Sequence, residues 1–600
     1  MLHFIYKCPS CISDTPATSS ATTPPVLRIF ALLLSLVLLL SGCTSNTPGK
    51  SNEQALSFDD YCDELFAEEV TSDTLSLHYI LSDPTAAEIC DYTVCLPDYS
   101  VDGQEQSQVF LENTITALKH YDRDSLNTDE QLTYDILSDS MEHSAAASAY
   151  TLYDEILRPS TGMAMELPIL LAEYHFYSEQ DVKDYLKLLS LVPDCFAGIV
   201  SFEQERIDAG LFMSDTQIDT LLSDIASLMD TSDGHYLLTT FDERLSALSD
   251  IPETARDAYL LSNQETFYNE FLPAYAMLAD FLTQHKGCGT NDAGLCYYPD
   301  GLNYYEQLVY SSTGSSRNID ALLALTETQR TIDMLAMADL METDPTLSLA
   351  LPEDYAFGTQ TPEQILSHLT TAICDQFSAP AATDYLVHDV DVCMQDSCAP
   401  AFYLTAPIDD LSHNVIYINP ANGYTGIELF TTLAHEGYPG HLYQTTTTAS
   451  AGLPALRSLL NYPGYIEGWA TYVEMLSYSY AGLPANQAAL MMHNQSALLS
   501  LYATADLSIH GKGWTLSDLT SFFHDYGITN EAAIGEVYTY IVAEPAHYLK
   551  YYVGYLEFLE LKKAAKAAWG DNYSDKKFHD AVLQIGPAPF AIVEKYLLLQ

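Results

Sequence analysis

The segment Thr431-Thr-Leu-Ala-His-Glu-Gly-Tyr-Pro-Gly-His441 decides how the rest of the chain is interpreted. His435 and Glu436 are adjacent, and His441 follows six residues after His435. In the zinc-binding pattern H-E-x-x-H the two histidines are four residues apart and share one helix face. Six residues correspond to a rotation of about 240° around a helix, so a regular helix cannot direct both imidazoles at one ion. This spacing therefore needs a break in the helix.

The residues for such a break lie between the two histidines. Pro439 lacks a backbone donor and disturbs the preceding helical turn. Gly440 tolerates backbone conformations that other residues avoid. We therefore expect a kink or bulge at Pro439 and Gly440 that brings His441 to the same metal ion as His435.

A second motif follows at Tyr465-Ile-Glu-Gly-Trp-Ala-Thr-Tyr-Val-Glu474, a stretch with a helical pattern. A catalytic zinc is commonly held by two histidines and a glutamate, with one position left for water. Glu467 is the candidate third ligand, although an ordinary surface carboxylate has the same sequence appearance. Glu474 lies seven residues later on nearly the same helix face. It is a candidate to orient a metal-bound histidine through a hydrogen bond, with a solvated helical glutamate as the alternative.

The two motifs together resemble the bacterial proteins grouped as domain of unknown function 885. The resemblance rests on His435-Glu-Gly-Tyr-Pro-Gly-His441 and Glu467-Gly-Trp-Ala470. It extends to Ala505–Trp514 (ADLSIHGKGW), to Phe578-His-Asp580, and to Gly586-Pro-Ala-Pro-Phe590.

This resemblance is closest over residues 419–590 and extends back to about residue 55. It implies a zinc metallopeptidase of the wider gluzincin clan, with a mainly α-helical body, a deep cleft and no defined substrate. One position departs from the pattern, because Leu442 stands where many relatives carry a second histidine. The resemblance therefore gives no support to a metal site built on that extra histidine.

The expected cofactor is zinc, held by His435, His441 and Glu467. Zinc lowers the pKa of a bound water and polarises a carbonyl group. Glu436, beside the first ligand, is the expected general base. A developing oxyanion needs further donors, and His510 and Tyr548 are candidate catalytic residues.

His547, beside Tyr548, is a third candidate donor. The chain contains 43 tyrosines, so any single one serves packing more often than catalysis.

Outside these motifs the pattern is mostly helical. Apolar residues recur at helical spacing in the segments 109–120, 129–144, 180–191 and 217–229. Three short runs alternate as strands do, namely Tyr385-Leu-Val-His-Asp-Val-Asp-Val, Ala401-Phe-Tyr-Leu, and His413-Asn-Val-Ile-Tyr-Ile-Asn. We predict a gluzincin-like architecture, in which a helical N-terminal part (53–380) precedes a small β-sheet and a helical zinc-binding part (381–600). The sheet is expected next to the catalytic helix, where an exposed strand edge can bind an extended peptide.

The beginning of the chain is typical of an exported lipoprotein. An apolar run from Ile29 to Leu40 follows Arg28 and is too short to span a bilayer comfortably. Leu40-Ser-Gly-Cys43 resembles a bacterial lipobox, which implies that Cys43 is lipidated and becomes the mature N-terminus. We therefore predict a signal peptide (1–42), a polar tether (43–52) and a lipid-anchored protein on the extracytoplasmic face. A plain signal peptide or a short anchor is the alternative.

Composition limits the other functions. Lysine and arginine total 23 against 82 acidic residues, a formal net charge of −59, which disfavours nucleic acid as a partner. Three cysteine pairs, Cys90/Cys95, Cys288/Cys296 and Cys393/Cys398, are close enough in sequence to form disulfides in an exported protein. The sequence thus predicts an exported zinc metallopeptidase acting on short peptides. The alternatives are a catalytically silent peptide-binding lipoprotein and a zinc amidase acting on cell-wall fragments.

Overall fold

The computed structural model describes residues 56–600, apart from residues 233, 352–359, 391, 393, 394 and 396–398. The predicted signal peptide, the tether and Cys43 lie outside the described residues, as do Cys393 and Cys398.

Helices make up the N-terminal part of the described chain. The segments predicted from their periodicity coincide with helices, apart from residues 119, 120 and 229, which lie just beyond a helix end. Side chains such as those of Ser57, Asn127 and Ser178 cap helix N-termini. The helices, in chain order α1 to α13, are Phe58–Val70, Thr74–Ile80, Val101–Leu118, Thr128–Ala147, Met163–Glu173, Glu179–Ala209, Asp215–Leu228, Tyr236–Ala247, Glu253–Thr266, Leu272–Gln284, Gly301–Thr313, Ile319–Thr343 and Pro362–Ala372.

A three-stranded sheet follows, formed by β1 (Tyr385–Asp389), β2 (Ala401–Leu404) and β3 (Asn414–Ile418). All three strands match the runs predicted from alternation. The strand order is β1-β3-β2, with β1 parallel and β2 antiparallel to β3. One long edge of β2 is therefore not paired within the sheet.

The remaining described chain is helical again. Its helices, α14 to α22, are Gly426–Glu436, His441–Ala449, Pro463–Ser477, Ala485–Lys512, Leu516–Asp525, Glu531–Ala543, His547–Trp569, Asp575–Ile585 and Phe590–Leu597. A mainly helical body with a small sheet beside the helix of the first motif is thus confirmed.

Two large hydrophobic cores lie on opposite sides of the sheet. The larger core combines residues of α1–α4 with residues of α14–α16 and α20–α22, and it includes Tyr403 and Ile416. The second core is built mainly from α5–α10 and includes Phe402, with Tyr417 packed against it. Successive residues of a strand point to opposite faces, so the sheet contacts both cores at once. This fixes β2 and β3 firmly beside the helix of the first motif.

The cysteines do not form the predicted short disulfides within the described residues. Cys90, Cys288 and Cys296 are free thiols. The thiol of Cys95 instead contacts the carbonyl oxygen of Ser72 at 3.2 Å. Closeness in sequence therefore did not predict disulfides for Cys90/Cys95 and Cys288/Cys296, the two pairs that lie within the described residues.

Candidate metal centre

The break between the two histidines is a complete change of helix. Helix α14 ends at Glu436 and α15 begins at His441, with a cis peptide before Pro439 in the intervening turn. A Cβ atom on Gly440 would lie 1.7 Å from the carbonyl oxygen of His435, so the turn accepts only glycine there. The expected interruption at Pro439 and Gly440 is present, and it resets the helical phase of His441.

This turn brings three metal-binding side chains together. The ligand atoms of His435, His441 and Glu467 all lie within 4.8 Å of one another. The Nε2 atoms of the two histidines are each 3.4 Å from the same oxygen, Oε2 of Glu467. All three residues are buried. Two imidazoles and one carboxylate are the donor set of many catalytic zinc sites.

The polar atoms of this group fit a bound cation. Both ring nitrogens of His441 and both carboxylate oxygens of Glu467 are buried without a hydrogen-bond partner among the described residues. Buried polar atoms of that kind are costly unless something satisfies them. Burial alone would raise the pKa of Glu467, yet the imidazoles of His435 and His441 hold it well below its usual value. Glu467 is thus an anion poised to bind a cation.

Glu474 lies beside the first histidine. Its Oε2 is 3.1 Å from Nδ1 of His435, so the Nδ1–H group donates to the carboxylate and Nε2 faces Glu467. Histidines that bind metals usually donate their other ring nitrogen in this way. The contact that the predicted role of Glu474 requires is therefore present.

The candidate general base Glu436 is held by the sheet. The backbone N–H of Tyr403, on β2, donates to Oε2 of Glu436 at 3.0 Å. Burial raises the pKa of Glu436, and the nearby His435 and His441 oppose that rise. A buried carboxylate with a raised pKa is suited to accept a proton near neutral pH.

Helix α16 is locked against both the turn and α20. The indole Nε1–H of Trp469 donates to the carbonyl oxygen of Pro439 at 3.0 Å, which ties the second motif to the first. A Cβ on Gly468 would lie 2.5 Å from the backbone of Gly554, and a Cβ on Gly554 would lie 2.1 Å from the carbonyl oxygen of Gly464. The glycines thus allow α16 and α20 to pack backbone to backbone.

This packing places two residues of α20 that the sequence analysis missed. Nζ of Lys550 is 3.6 Å from Oε1 of Glu467. The ring of Tyr551 lies with its centroid 6.4 Å from that of His435. The sequence held one signal for these two residues. Lys550 and Tyr551 lie three residues beyond the candidates His547 and Tyr548, and residues three apart are neighbours on a helix surface.

His510 is engaged elsewhere. Its Nδ1 accepts a hydrogen bond from the backbone N–H of Leu295 at 3.1 Å, and its Nε2–H donates to the carbonyl oxygen of Ile541 at 2.8 Å. Burial lowers the pKa of His510 to about 4, so the ring is neutral. Both ring nitrogens are hydrogen-bonded to backbone groups, and the structure does not bring His510 into the metal group.

The other two candidates lie along α20. Tyr548 stacks on Tyr502 in a separate hydrophobic cluster, with ring centroids 5.0 Å apart. The ring of His547 is 5.7 Å from those of both Tyr548 and Tyr551. Tyr551, one turn further along this helix, is the residue whose ring lies 6.4 Å from that of the metal-ligand candidate His435.

Residues 85–597 match the family model described as "Bacterial protein of unknown function (DUF885)". The chain belongs to this family. Among solved structures, this DUF885 chain is similar to "the putative lipoprotein from Colwellia psychrerythraea", with a TM-score of 0.79 and 17% identity over 90% of this chain and 99% of that one. It is also similar to "a putative lipoprotein of unknown function from Shewanella oneidensis", with a TM-score of 0.64 and 16% identity over 91% and 100% of the two chains. At these identities the likeness establishes the fold.

A third solved structure, "a putative oligoendopeptidase F from Bacillus anthracis str. Ames", aligns with a TM-score of 0.27 and 11% identity over 82% of this DUF885 chain and 94% of its own. That likeness is too slight to support an argument about function. No curated protein matches the sequence.

Another family segment of this DUF885 chain supports α20. Oδ1 of Asp506, in the ADLSIHGKGW stretch, accepts hydrogen bonds from the Tyr305 hydroxyl at 2.5 Å and from the backbone N–H of Ala546 at 3.1 Å. Ala546 has a positive φ of 63° and directly precedes α20. Asp506 therefore fixes the start of the helix that carries Lys550 and Tyr551.

Proposed function

We propose that this protein is a zinc-dependent peptidase that hydrolyses peptide bonds of short peptides. One observation carries the proposal, namely the convergence of His435, His441 and Glu467 beside Glu436 in a buried group with unsatisfied polar atoms. A structural zinc site usually has four protein ligands, whereas three ligands leave a position for water or substrate. An acidic side chain next to the first ligand then supplies the base that hydrolysis needs.

When bound, zinc supplies an activated water at neutral pH and polarises the scissile carbonyl group. Glu436 takes the proton from the attacking water and returns it to the leaving amine. The N–H of Tyr403 holds Oε2 of Glu436 in place, which leaves Oε1 for the proton. Glu474 keeps the ring of His435 in one orientation.

The outer edge of β2 is suited to hold the substrate. The carbonyl oxygen of Pro400 accepts from Asn419 on the β3 side, while the N–H of Tyr403 points away from β3 to Glu436. Because backbone groups alternate along a strand, Ala401 and Tyr403 both present their main-chain groups to the outer edge. An extended peptide can pair with such an edge, next to the general base.

We assign Tyr551 and Lys550 to stabilise the negative charge that develops on the carbonyl oxygen of the substrate. The proximity of Tyr551 to His435 and of Lys550 to Glu467 supports this assignment. A preorganised donor at this place stabilises a developing oxyanion. We assign this role to Tyr551 in preference to Tyr548 and His510.

We also propose that the protein is exported and anchored through a lipid on Cys43, so that the peptidase faces the extracytoplasmic side of the membrane. The lipobox-like Leu40-Ser-Gly-Cys43 supports this, as do the two similar proteins described as putative lipoproteins. Cys43→Ala should move the protein from the membrane fraction to the soluble fraction, and an unchanged distribution would contradict the anchor.

The central test compares purified residues 44–600 with the Glu436→Gln variant. We expect about one zinc per chain in both proteins and hydrolysis of a peptide library only by the chain with Glu436. A folded protein that takes up no zinc, or full activity in the variant, would contradict the proposal. Cell-wall fragments are incubated in parallel. Cleavage of those alone would favour an amidase, and saturable peptide binding without cleavage would favour a silent binding protein.

A further inference from the structure

The histidine of the family segment Phe578-His-Asp580, on α21, is completely buried and takes no part in the proposed reaction. Its Nδ1–H group donates to the carbonyl oxygen of Gln376 at 2.8 Å, and its Nε2 accepts from the hydroxyl of Tyr472 at 2.9 Å. The ammonium group of Lys562 donates to the same hydroxyl at 2.8 Å, so the one proton of that hydroxyl is directed at His579. Burial lowers the pKa of His579 to about 4, which keeps the ring neutral with its proton on Nδ1.

The ring of His579 also supports Trp469. It stacks on the ring of Phe377, with centroids 4.1 Å apart and an angle of 9° between the planes. The indole of Trp469 stands at 89° to both rings, with centroid distances of 5.6 Å to His579 and 6.1 Å to Phe377. Its N–H donates to the carbonyl oxygen of Pro439, in the turn between the two candidate histidine ligands. His579 therefore contacts the residue that ties the second motif to the first.

Trp469 and Tyr472 lie on the back of α16, opposite to its metal-binding face. At about 100° of rotation per residue, Glu467 and Glu474 are separated by about 20° around the helix axis. Trp469 lies about 160° from Glu467, and Tyr472 about 140° from it. His579 thus contacts the back of the helix whose front carries one candidate metal ligand and the carboxylate that orients another.

Asp580, the next residue of the segment, supports the helix of another candidate ligand. Its Oδ2 accepts a hydrogen bond from the hydroxyl of Ser378 at 2.8 Å, and the carbonyl oxygen of Ser378 accepts one from the hydroxyl of Tyr443, on α15, at 3.0 Å. Helix α15 begins at His441. Two adjacent residues of α21 therefore contact, directly or through one residue, the two helices that carry Glu467 and His441.

We propose that His579 is a positioning residue of the metal centre, which fixes the rotation of α16 about its own axis and thereby the reach of Glu467 and Glu474. This inference rests on the proposed function, because it needs the zinc site, but it does not depend on which bond is hydrolysed. A helix with its side chains is about 10–12 Å across, so a rotation of about 2° moves a group on its surface by about 0.2 Å. Zinc–ligand distances tolerate no more than about 0.2 Å. A small rotation of α16 therefore weakens metal binding without unfolding the protein.

The first measurement compares the zinc affinity of His579→Leu with that of His235→Leu, by competition with a chromophoric chelator. Leucine fills much of the volume of the imidazole and offers neither a donor nor an acceptor. His235 is a matched control because it is also buried and packs on Phe267 of the second core. Both its ring nitrogens are hydrogen-bonded to backbone groups, those of Leu228 and Leu237. Both variants should therefore unfold at a lower urea concentration than the parent protein.

Only His579→Leu should alter the metal site. Loss of a residue that orients metal ligands typically lowers metal affinity about 10–100-fold, and we expect a loss of about tenfold because His579 acts through α16. Cobalt(II) in place of zinc gives an independent readout, since its visible absorption bands depend on the arrangement of its ligands. These bands should shift in His579→Leu and stay unchanged in His235→Leu. Equal zinc affinities of the two folded variants would overturn the inference.

Should His579→Leu fail to fold, Tyr472→Phe tests the same contact by removing a single hydroxyl. It should weaken zinc binding about fivefold, the equivalent of one neutral hydrogen bond, whereas His579→Gln should retain most of the affinity because its amide supplies a donor and an acceptor. Parental zinc affinity in Tyr472→Phe would overturn the inference. A parent protein that binds zinc and cleaves no peptide contradicts the proposed hydrolysis, while the zinc affinities of the variants still decide the role of His579. A parent protein that binds no zinc overturns both.

Discussion

Replacement of Gly440 by alanine should abolish tight zinc binding. The added Cβ would lie 1.7 Å from the carbonyl oxygen of His435, whereas real Cβ atoms stay at least 3.0 Å from such an atom. The turn must therefore open by at least 1.3 Å, and that displacement falls directly between the two histidine ligands. Zinc–ligand distances tolerate about 0.2 Å. The shift is several times that tolerance, so His435 and His441 can no longer reach one ion together.

The expected size of the effect follows from known perturbations of zinc sites. Loss of a hydrogen bond to a metal ligand typically costs 10–100-fold in affinity, about 1.4 to 2.7 kcal/mol, and displacement of a ligand costs more. We therefore expect Gly440→Ala to weaken zinc binding by more than about 100-fold. Competition with a chromophoric chelator measures this affinity directly.

The control is Gly535→Ala on α19, where the added Cβ meets nothing within 4 Å. Alanine is favoured over glycine in a helix by about 1 kcal/mol, so this variant should be at least as stable as the parent and bind zinc normally. Circular dichroism establishes that both variants are folded. If folded Gly440→Ala binds zinc as tightly as the control, the proposed role of the turn is wrong.

Three further outcomes follow from the contacts around the site. Glu474→Gln should weaken zinc binding 10–100-fold, measured by the same competition, because the Nδ1–H of His435 loses its charged acceptor; an unchanged affinity would argue against this orienting role. Trp469→Phe leaves the Pro439 carbonyl oxygen without its donor and should lower the free energy of unfolding by about 1 to 3 kcal/mol, measured in urea. His510 has a folded-state pKa of about 4, below its usual value of about 6.5, so the unfolded chain takes up a proton first as the pH falls between these values. His510 should therefore lower the free energy of unfolding by up to about 1.4 kcal/mol for each pH unit over that range. His510→Gln should remove this contribution to the pH dependence of stability.

The sequence predicted the local features of this protein well. The run Ala401–Leu404 corresponds to β2 residue for residue, because alternation is a property of consecutive residues. The interruption at Pro439 and Gly440 followed from helix geometry alone. Its actual form, an end of one helix at Glu436 and a new helix from His441, depends on close packing that periodicity does not encode.

Features that depend on contacts between distant segments were harder to predict. His510 was a candidate donor because of its residue type, yet both of its ring nitrogens are hydrogen-bonded to the backbone of Leu295 and Ile541. The ring of Tyr548 stacks on Tyr502 of α17. The positions of Lys550 and Tyr551 depend on how α20 packs against α16. Likewise, nothing near Tyr403 in the sequence indicates that its N–H group reaches Glu436, because that contact forms across 33 residues.

The backbone contact between α16 and α20 determines which parts of the protein can move. With glycines at Gly464, Gly468 and Gly554, no side chain lies at these contacts to act as a compressible layer between the helices. The two helices therefore move as one rigid unit, and the backbones that carry Glu467 and Lys550 keep their spacing. Elements with few buried apolar contacts open more readily than closely packed ones. Under the proposed function, any movement that admits or releases a peptide therefore takes place in elements other than α16 and α20.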